Sequence, residues 1–83
     1  GAQRERSGFV IAGAPLTAAG HSIPVLDDKG QPRGVLSDYV YSKRFKANIG
    51  VGMIASDAKQ ASLHVVIGDE ARIVTLRSLP FDS

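Results

Sequence analysis

The feature that most constrains this chain is the stretch from Val35 to Ile54, VLSDYVYSKRFKANIGVGMI. Val, Ile and Tyr at this density favour a pleated, half-buried surface, so the stretch reads as two β-strands. A short basic corner, Lys43-Arg44-Phe45-Lys46, joins them. Successive side chains of a strand alternate between faces, which puts Ile49, Val51 and Met53 together and Asn48, Gly50 and Gly52 opposite them. Two glycines on one face leave a groove that another backbone or a neighbouring domain can enter.

The rest of the chain repeats this pattern of short strands between turn signals. Gly8 to Gly13 is an apolar run short enough to be a buried strand, and Ala14-Pro15 ends it. The small residues from Leu16 to Gly20 form a connection, with Gly20 a candidate for positive φ. Ser22 to Leu26 is a second strand, which Pro24 demotes to an edge or a bulge. Asp27-Asp28-Lys29-Gly30 is a turn, since Asp side chains bond back to the backbone and Gly takes the left-handed corner. Arg33 to Tyr41 then completes a hairpin over 22–41, and Ala47 to Ile54 follows as the fourth strand.

Ser56 to Ala61 reads as one helical turn, with Ser56 as N-cap and Asp57 at its positive end. Leu63, Val65 and Ile67 alternate against His64 and Val66 in a fifth strand. Gly68-Asp69-Glu70 turns the chain into a sixth, Ala71 to Leu79, which Pro80 closes. Six short strands with turn signals between them predict an all-β protein: a six-stranded, Greek-key or jelly-roll-like barrel with one short helical turn. The polar residues 2–7 have no apolar partner and read as a frayed lead-in, with Gly1 a tag-derived scar. The expected organisation is therefore a lead-in over 1–7 and one domain over 8–83.

At 83 residues there is room for one domain, and its core is small. No cysteine is present to reinforce it, which fits a reducing, cytoplasmic setting. The chain starts Gly1-Ala2 and its only methionine is Met53, so a processed piece of a larger protein is expected. No apolar run approaches the ~20 residues needed to cross a bilayer, so no membrane partner is expected. The net charge of +2 comes from mixed signs spread along the chain, unlike the one-sided field of a dedicated nucleic-acid binder.

The chemistry-bearing residues are few. His21 and His64 fall short of the three ligands of a catalytic zinc or the four of a structural one, so no metal site is expected. Ser62, His64 and Asp69 are nominally a triad, but no nucleophile elbow or oxyanion nest accompanies them. Asp27-Asp28 lacks the twelve-residue loop and closing Glu of a calcium site. Gly50-Val51-Gly52 lacks the third glycine and following helix of a dinucleotide fingerprint. What remains is the basic corner. A charge run is ordinarily a solvated loop. As a functional element it suits an anion, because guanidinium and ammonium groups hold phosphate or carboxylate. Tyr39, Tyr41 and Phe45 nearby would also allow bases to stack beside it.

The order of short motifs resembles the C-terminal barrel of the glycine cleavage system T-protein (aminomethyltransferase) family. The residues that carry it are Pro24-Val25-Leu26-Asp27, Gly34-Val35-Leu36-Ser37, Tyr41-Ser42-Lys43-Arg44-Phe45, Asn48-Ile49-Gly50-Val51-Gly52-Met53 and the closing Leu79-Pro80-Phe81. Lys43 stands where the family usually has proline, and Val66 to Glu70 replaces a more basic turn. The subfamily is open among glycine cleavage, a folate-dependent demethylase and a dimethylglycine or sarcosine oxidase relative.

The resemblance implies one-carbon transfer to tetrahydrofolate in a full-length protein whose catalytic residues lie in preceding domains. On that reading this chain carries no catalytic residue, is inert alone and does not bind tetrahydrofolate by itself. Its partners are the N-terminal folate-binding domains of the same polypeptide. Tyr41, Ser42, Lys43 and Arg44 become the folate-facing residues, the cations meeting the anionic glutamate tail. The glycine face of the fourth strand and Tyr39/Tyr41 become surface for the partner domain. The rival from another class is a free-standing basic barrel that binds nucleic acid; a third is an oligomerisation module.

Overall fold

The computed structural model describes residues 3–17 and 21–80. They form β1 (Arg4–Ile11), β2 (Ile23–Leu26), β3 (Pro32–Ser42), β4 (Ala47–Ala55), β5 (Leu63–Ile67) and β6 (Glu70–Arg77), with a 3-10 turn over Ser56–Ala58 between β4 and β5. The strands close into one antiparallel barrel in the order β1-β4-β3-β2-β5-β6. β2, β3 and β4 follow one another as hairpins while β1 lies beside β4, which is Greek-key connectivity. The expected all-β six-stranded barrel with one helical turn is the observed fold.

Local chemistry explains the β2–β3 turn. Asp27 Oδ1 accepts hydrogen bonds from the backbone N–H of Lys29 and of Gln31, each at 2.9 Å, and Gly30 takes φ +76°. This is the Asx-type corner read from the sequence. Pro24 sits within β2 without breaking the barrel. Its strand meets β5 only through Leu26↔His64, so no ladder bond is required of its ring nitrogen on that side, and the register shifts just beyond it, between Val25 and Leu26.

β1 begins at Arg4, inside the stretch expected to be a frayed lead-in. Arg4 to Ser7 pair with Ala55 to Gly52 of β4, and the Ser56 N–H donates to the Gln3 carbonyl at 2.8 Å. Ladder bonds ask nothing of side-chain hydrophobicity, so an apolar run marked only the second half of this strand. Glu5 adds an ion pair with Lys59 Nζ at 2.8 Å, tying β1 to the segment after the 3-10 turn.

The 3-10 turn also differs from expectation. Its N-cap is Ala55, with no side-chain cap. The Ser56 side chain instead helps hold the Glu5 carboxyl below its ordinary value. Gly20 and Phe81 lie outside the described residues.

The barrel interior is filled by Phe9, Val25, Leu36 and Val65, each fully buried, with Ile11 and Ile54 beside them. Here the glycine face of β4 turns inward. Asn48, Gly50, Gly52 and Ile54 are buried, while Ile49, Val51 and Met53 point outward and are half-buried. This corrects the expectation that the glycines and Tyr39 form exposed surface. A backbone does approach the glycines closely, but it is that of β3. A Cβ on Gly52 would collide with the Val35 carbonyl oxygen, and one on Gly50 would lie 2.6 Å from both Leu36 Cδ1 and Asp38 O.

The register of β3 against β4 shifts between Leu36 and Asp38. That bulge resets the alternation, so Leu36 and Tyr39 both face inward, and Tyr39 is left only 7% exposed. A strict period of two would send one of them outside.

Candidate functional site

The basic corner is the β3–β4 turn, residues 43–46. β3 and β4 pair up to Tyr41↔Asn48 and Ser42↔Ala47, and the chain reverses through four residues, with Lys46 at φ +54°. The Ser42 hydroxyl accepts the Phe45 N–H at 3.3 Å and braces the turn from within. Lys43, Arg44 and Lys46 are exposed, while Tyr41, Ser42 and Phe45 are half-buried. The four expected site residues therefore sit together on one hairpin end, two as exposed cations and two as its half-buried base.

Phe45 organises the cations. The guanidinium carbon of Arg44 lies 5.9 Å from its ring centroid, and that of Arg77 lies 5.0 Å away. Both distances are within cation–π range, so the ring orients two planar forks at one place. Arg77 belongs to β6, opposite Gly8 of β1. No local motif marks it; only the closure of the barrel brings it to the turn. An Arg fork donates paired hydrogen bonds to carboxylate or phosphate oxygens, and two such forks beside an aromatic plate suit an anion that also has a flat part.

Asn48, at the base of the corner, is 1% exposed. Its Oδ1 accepts the Leu16 N–H at 2.8 Å, and its Nδ2 donates to the carbonyls of Ala14 at 3.0 Å and of Ile11 and Gly13 at 3.3 Å. Arg72 reaches the same loop from β6, donating from Nη1 to the carbonyls of Ala12 at 3.1 Å and Ala14 at 2.8 Å. The loop after β1 is thereby fastened across the same end of the barrel that carries the basic corner. Asn48 is read from the sequence only as a polar residue on the glycine face; its staple depends on a loop more than thirty residues away.

The other nominal sites do not assemble. His64 pairs with Ile73, whereas Asp69 lies in the turn at the far end of the same hairpin, roughly 15 Å along the strand at ~3.3 Å per residue. Among the described residues no three His, Cys, Asp or Glu side chains gather as metal ligands. No helix among them is long and apolar enough to cross a membrane. A cleft of about 860 Å³ opens between the first half of β1 and the end of β6, lined by Glu5, Ser7, Ile54, Lys59 and Leu79 among others. It does not include Tyr41 to Arg44, although Arg77 lies on its rim.

No protein-family model matches the chain, and no curated protein matches it by sequence. A solved structure does: the glycine cleavage system aminomethyltransferase T from Bartonella henselae, with a TM-score of 0.77 and 16% sequence identity. The match covers 93% of this chain and 21% of that one. The shared property is the fold, which in the solved protein is one part of a chain about five times as long.

Proposed function

We propose that this chain is the C-terminal barrel domain of a tetrahydrofolate-dependent aminomethyltransferase-like enzyme, of the glycine-cleavage type of one-carbon transfer. The observation that carries the reading is the match of nearly the whole barrel to part of an aminomethyltransferase. The order of motifs from Pro24-Val25-Leu26-Asp27 to Leu79-Pro80 supports it independently of overall identity. The domain supplies no catalytic residue. Its role is to cover one side of the folate site formed by the preceding domains, with Lys43 and Arg44 facing the anionic glutamate tail. Tyr41 and Ser42 shape the base from which those cations project, and Phe45 holds Arg44 in place from one side.

The test is tetrahydrofolate binding by the full-length polypeptide with and without Arg44→Ala. Loss of one charge-assisted contact costs ~1.5–3 kcal/mol, or roughly 10- to 100-fold in affinity. Unchanged affinity removes Arg44 from the folate site. If the full-length polypeptide has no affinity for tetrahydrofolate, the whole reading falls.

A further inference from the structure

Apart from Asn48 at its start, β4 carries no polar side chain on either face, and the barrel core uses only one of them. Its inward column fills the core, while its outward column of Ile49, Val51 and Met53 is covered only in part. The neighbouring strands extend that column sideways. Val10 of β1 and Val40 of β3 flank Ile49, and Val35 of β3 flanks Met53. Val40 is 48% exposed. Between them Gly8, beside Val51, contributes no side chain and is itself buried. A strand that is apolar on both sides is characteristic of one buried on both sides, and contiguous apolar surface of this kind marks an interaction site.

The rim is charged. Arg6 stands next to Met53 on β1, and Arg77 stands beyond Gly8 on β6. On the β3 side the charged neighbour of Val51 is Asp38. An apolar centre with a polar border is the usual anatomy of a protein interface.

We propose that the outer wall of β3, β4 and β1 is the docking face for another domain of the same, longer polypeptide. That domain would present an apolar patch whose edge carries carboxylates opposite Arg6. The proposal rests on the reading of the chain as one domain of an aminomethyltransferase-like protein, since the solved relative in fold carries about four-fifths of its length outside this barrel. It deepens that reading by naming the face and moves it away from the glycine column, which the core consumes.

Met53 is the only methionine of the chain and lies in the middle of the face, so its oxidation to sulfoxide reports directly on cover. The experiment compares hydrogen peroxide oxidation of Met53 in the 83-residue chain and in the full-length polypeptide, read by mass spectrometry as uptake of one oxygen by the proteolytic peptide that contains Met53. Acetylation of exposed Lys29, in the β2–β3 turn away from this face, serves as the internal control. Tetrahydrofolate titration is run on the same full-length sample.

The expected result is oxidation at least ~10-fold slower in the full-length polypeptide, with Lys29 modified equally in both. Val51→Glu in the full-length polypeptide should restore the fast rate, while the same change in the 83-residue chain leaves it folded, because Val51 faces outward. Folate binding with Met53 unprotected overturns the docking face and leaves the functional reading standing. A protected Met53 without folate binding supports the face and removes the functional reading. Protection in the 83-residue chain that grows with concentration, together with a doubled mass, assigns the face to a second copy and overturns the proposal.

Discussion

Asn48 and Arg72 donate to the same oxygen, the carbonyl of Ala14, from β4 and β6, the two neighbours of β1, at 3.0 and 2.8 Å. One donor is a fully buried amide on β4 and the other a guanidinium on β6 whose Nε lies 2.9 Å from Glu70 Oε1. Together they hold the loop after β1 against the end of the barrel. The two are not equivalent, because Asn48 is 1% exposed and also accepts the Leu16 N–H, whereas the Arg72 side chain keeps 13% exposure.

Asn48→Ala is therefore expected to be the more damaging change. It strands the Leu16 N–H and removes a donor from the Ile11 and Gly13 carbonyls, leaving Ala14 held by Arg72 alone, at a cost of ~2–3 kcal/mol. In a domain of this size that lowers Tm by roughly 10–20 °C. Arg72→Met, which keeps the aliphatic stem, should cost less than half as much. Urea unfolding followed by circular dichroism measures both, and an Arg72 variant as unstable as the Asn48 one would show that the guanidinium carries the loop.

Gly52→Ala is expected to be severe because the obstacle is backbone: the new methyl would collide with the Val35 carbonyl oxygen and approach Leu36 Cα to 3.0 Å. Neither can move without opening the β3–β4 ladder, so a loss of ~3 kcal/mol or more is expected. Gly30→Ala is a different case. Nothing lies within 4 Å of the new methyl, and only the φ of +76° opposes it, at ~1–2 kcal/mol. Thermal melts of the two variants should rank them in that order; equal losses would mean that β3 moves away more easily than its pairing suggests.

Those two glycines show what the sequence could and could not convey. Gly30 was legible because Asp27 and Gly30 interact within a few residues, and turn chemistry is local. The alternation of β4 was legible too, but not its direction. Ile49, Val51 and Met53 look like a core column until one knows that Leu36 and Tyr39 need the space above Gly50 and Gly52. The bulge between Leu36 and Asp38 hid Tyr39 in the same way, since one extra residue reverses every later assignment. Within the basic corner, Lys43 and Arg44 are consecutive and visible. Arg77 is not, because its approach to Phe45 depends on how β1 and β6 close the barrel.

Acid should weaken the two places where carboxylates accept hydrogen bonds. The Glu5 carboxyl titrates below its ordinary value because Lys59, and then Ser56, hydrogen-bond to its charged form. The Asp27 carboxyl does so chiefly because the Gln31 N–H donates to it, with Lys29 and Arg33 adding to the effect. A carboxylate with a depressed folded-state pKa stabilises the fold above its unfolded value, here 4.5 for Glu5 and 3.8 for Asp27. That contribution is lost as pH falls through the lower folded values. Tm should be flat from pH 7 to about pH 5 and then decline. Asp27→Asn should lower Tm at neutral pH and flatten the acid decline; an unchanged acid limb would mean that other carboxylates set it.

The corner itself offers the last test, through salt. If Arg44 and Arg77 act as a pair of forks around Phe45, removing either should weaken binding of the same anion, although one lies in the β3–β4 turn and the other on β6. On the proposed function, Arg77→Ala in the full-length polypeptide should then weaken binding of polyglutamylated tetrahydrofolate by several-fold and leave the monoglutamate form less affected, because the additional glutamates supply the charge. Adding salt should narrow the difference between the two forms, since exposed charge pairs are screened over ~8–10 Å. A short single-stranded oligonucleotide titrated into the 83-residue chain provides the contrast. Phosphate-driven binding would fall steeply and log-linearly with salt. The buried Tyr39 is unavailable for base stacking, which leaves Phe45 and half-buried Tyr41 as the aromatic surface. Weak or absent oligonucleotide binding is therefore expected. Micromolar binding that disappears with added salt and with Arg44→Ala would transfer the corner from a folate tail to nucleic acid.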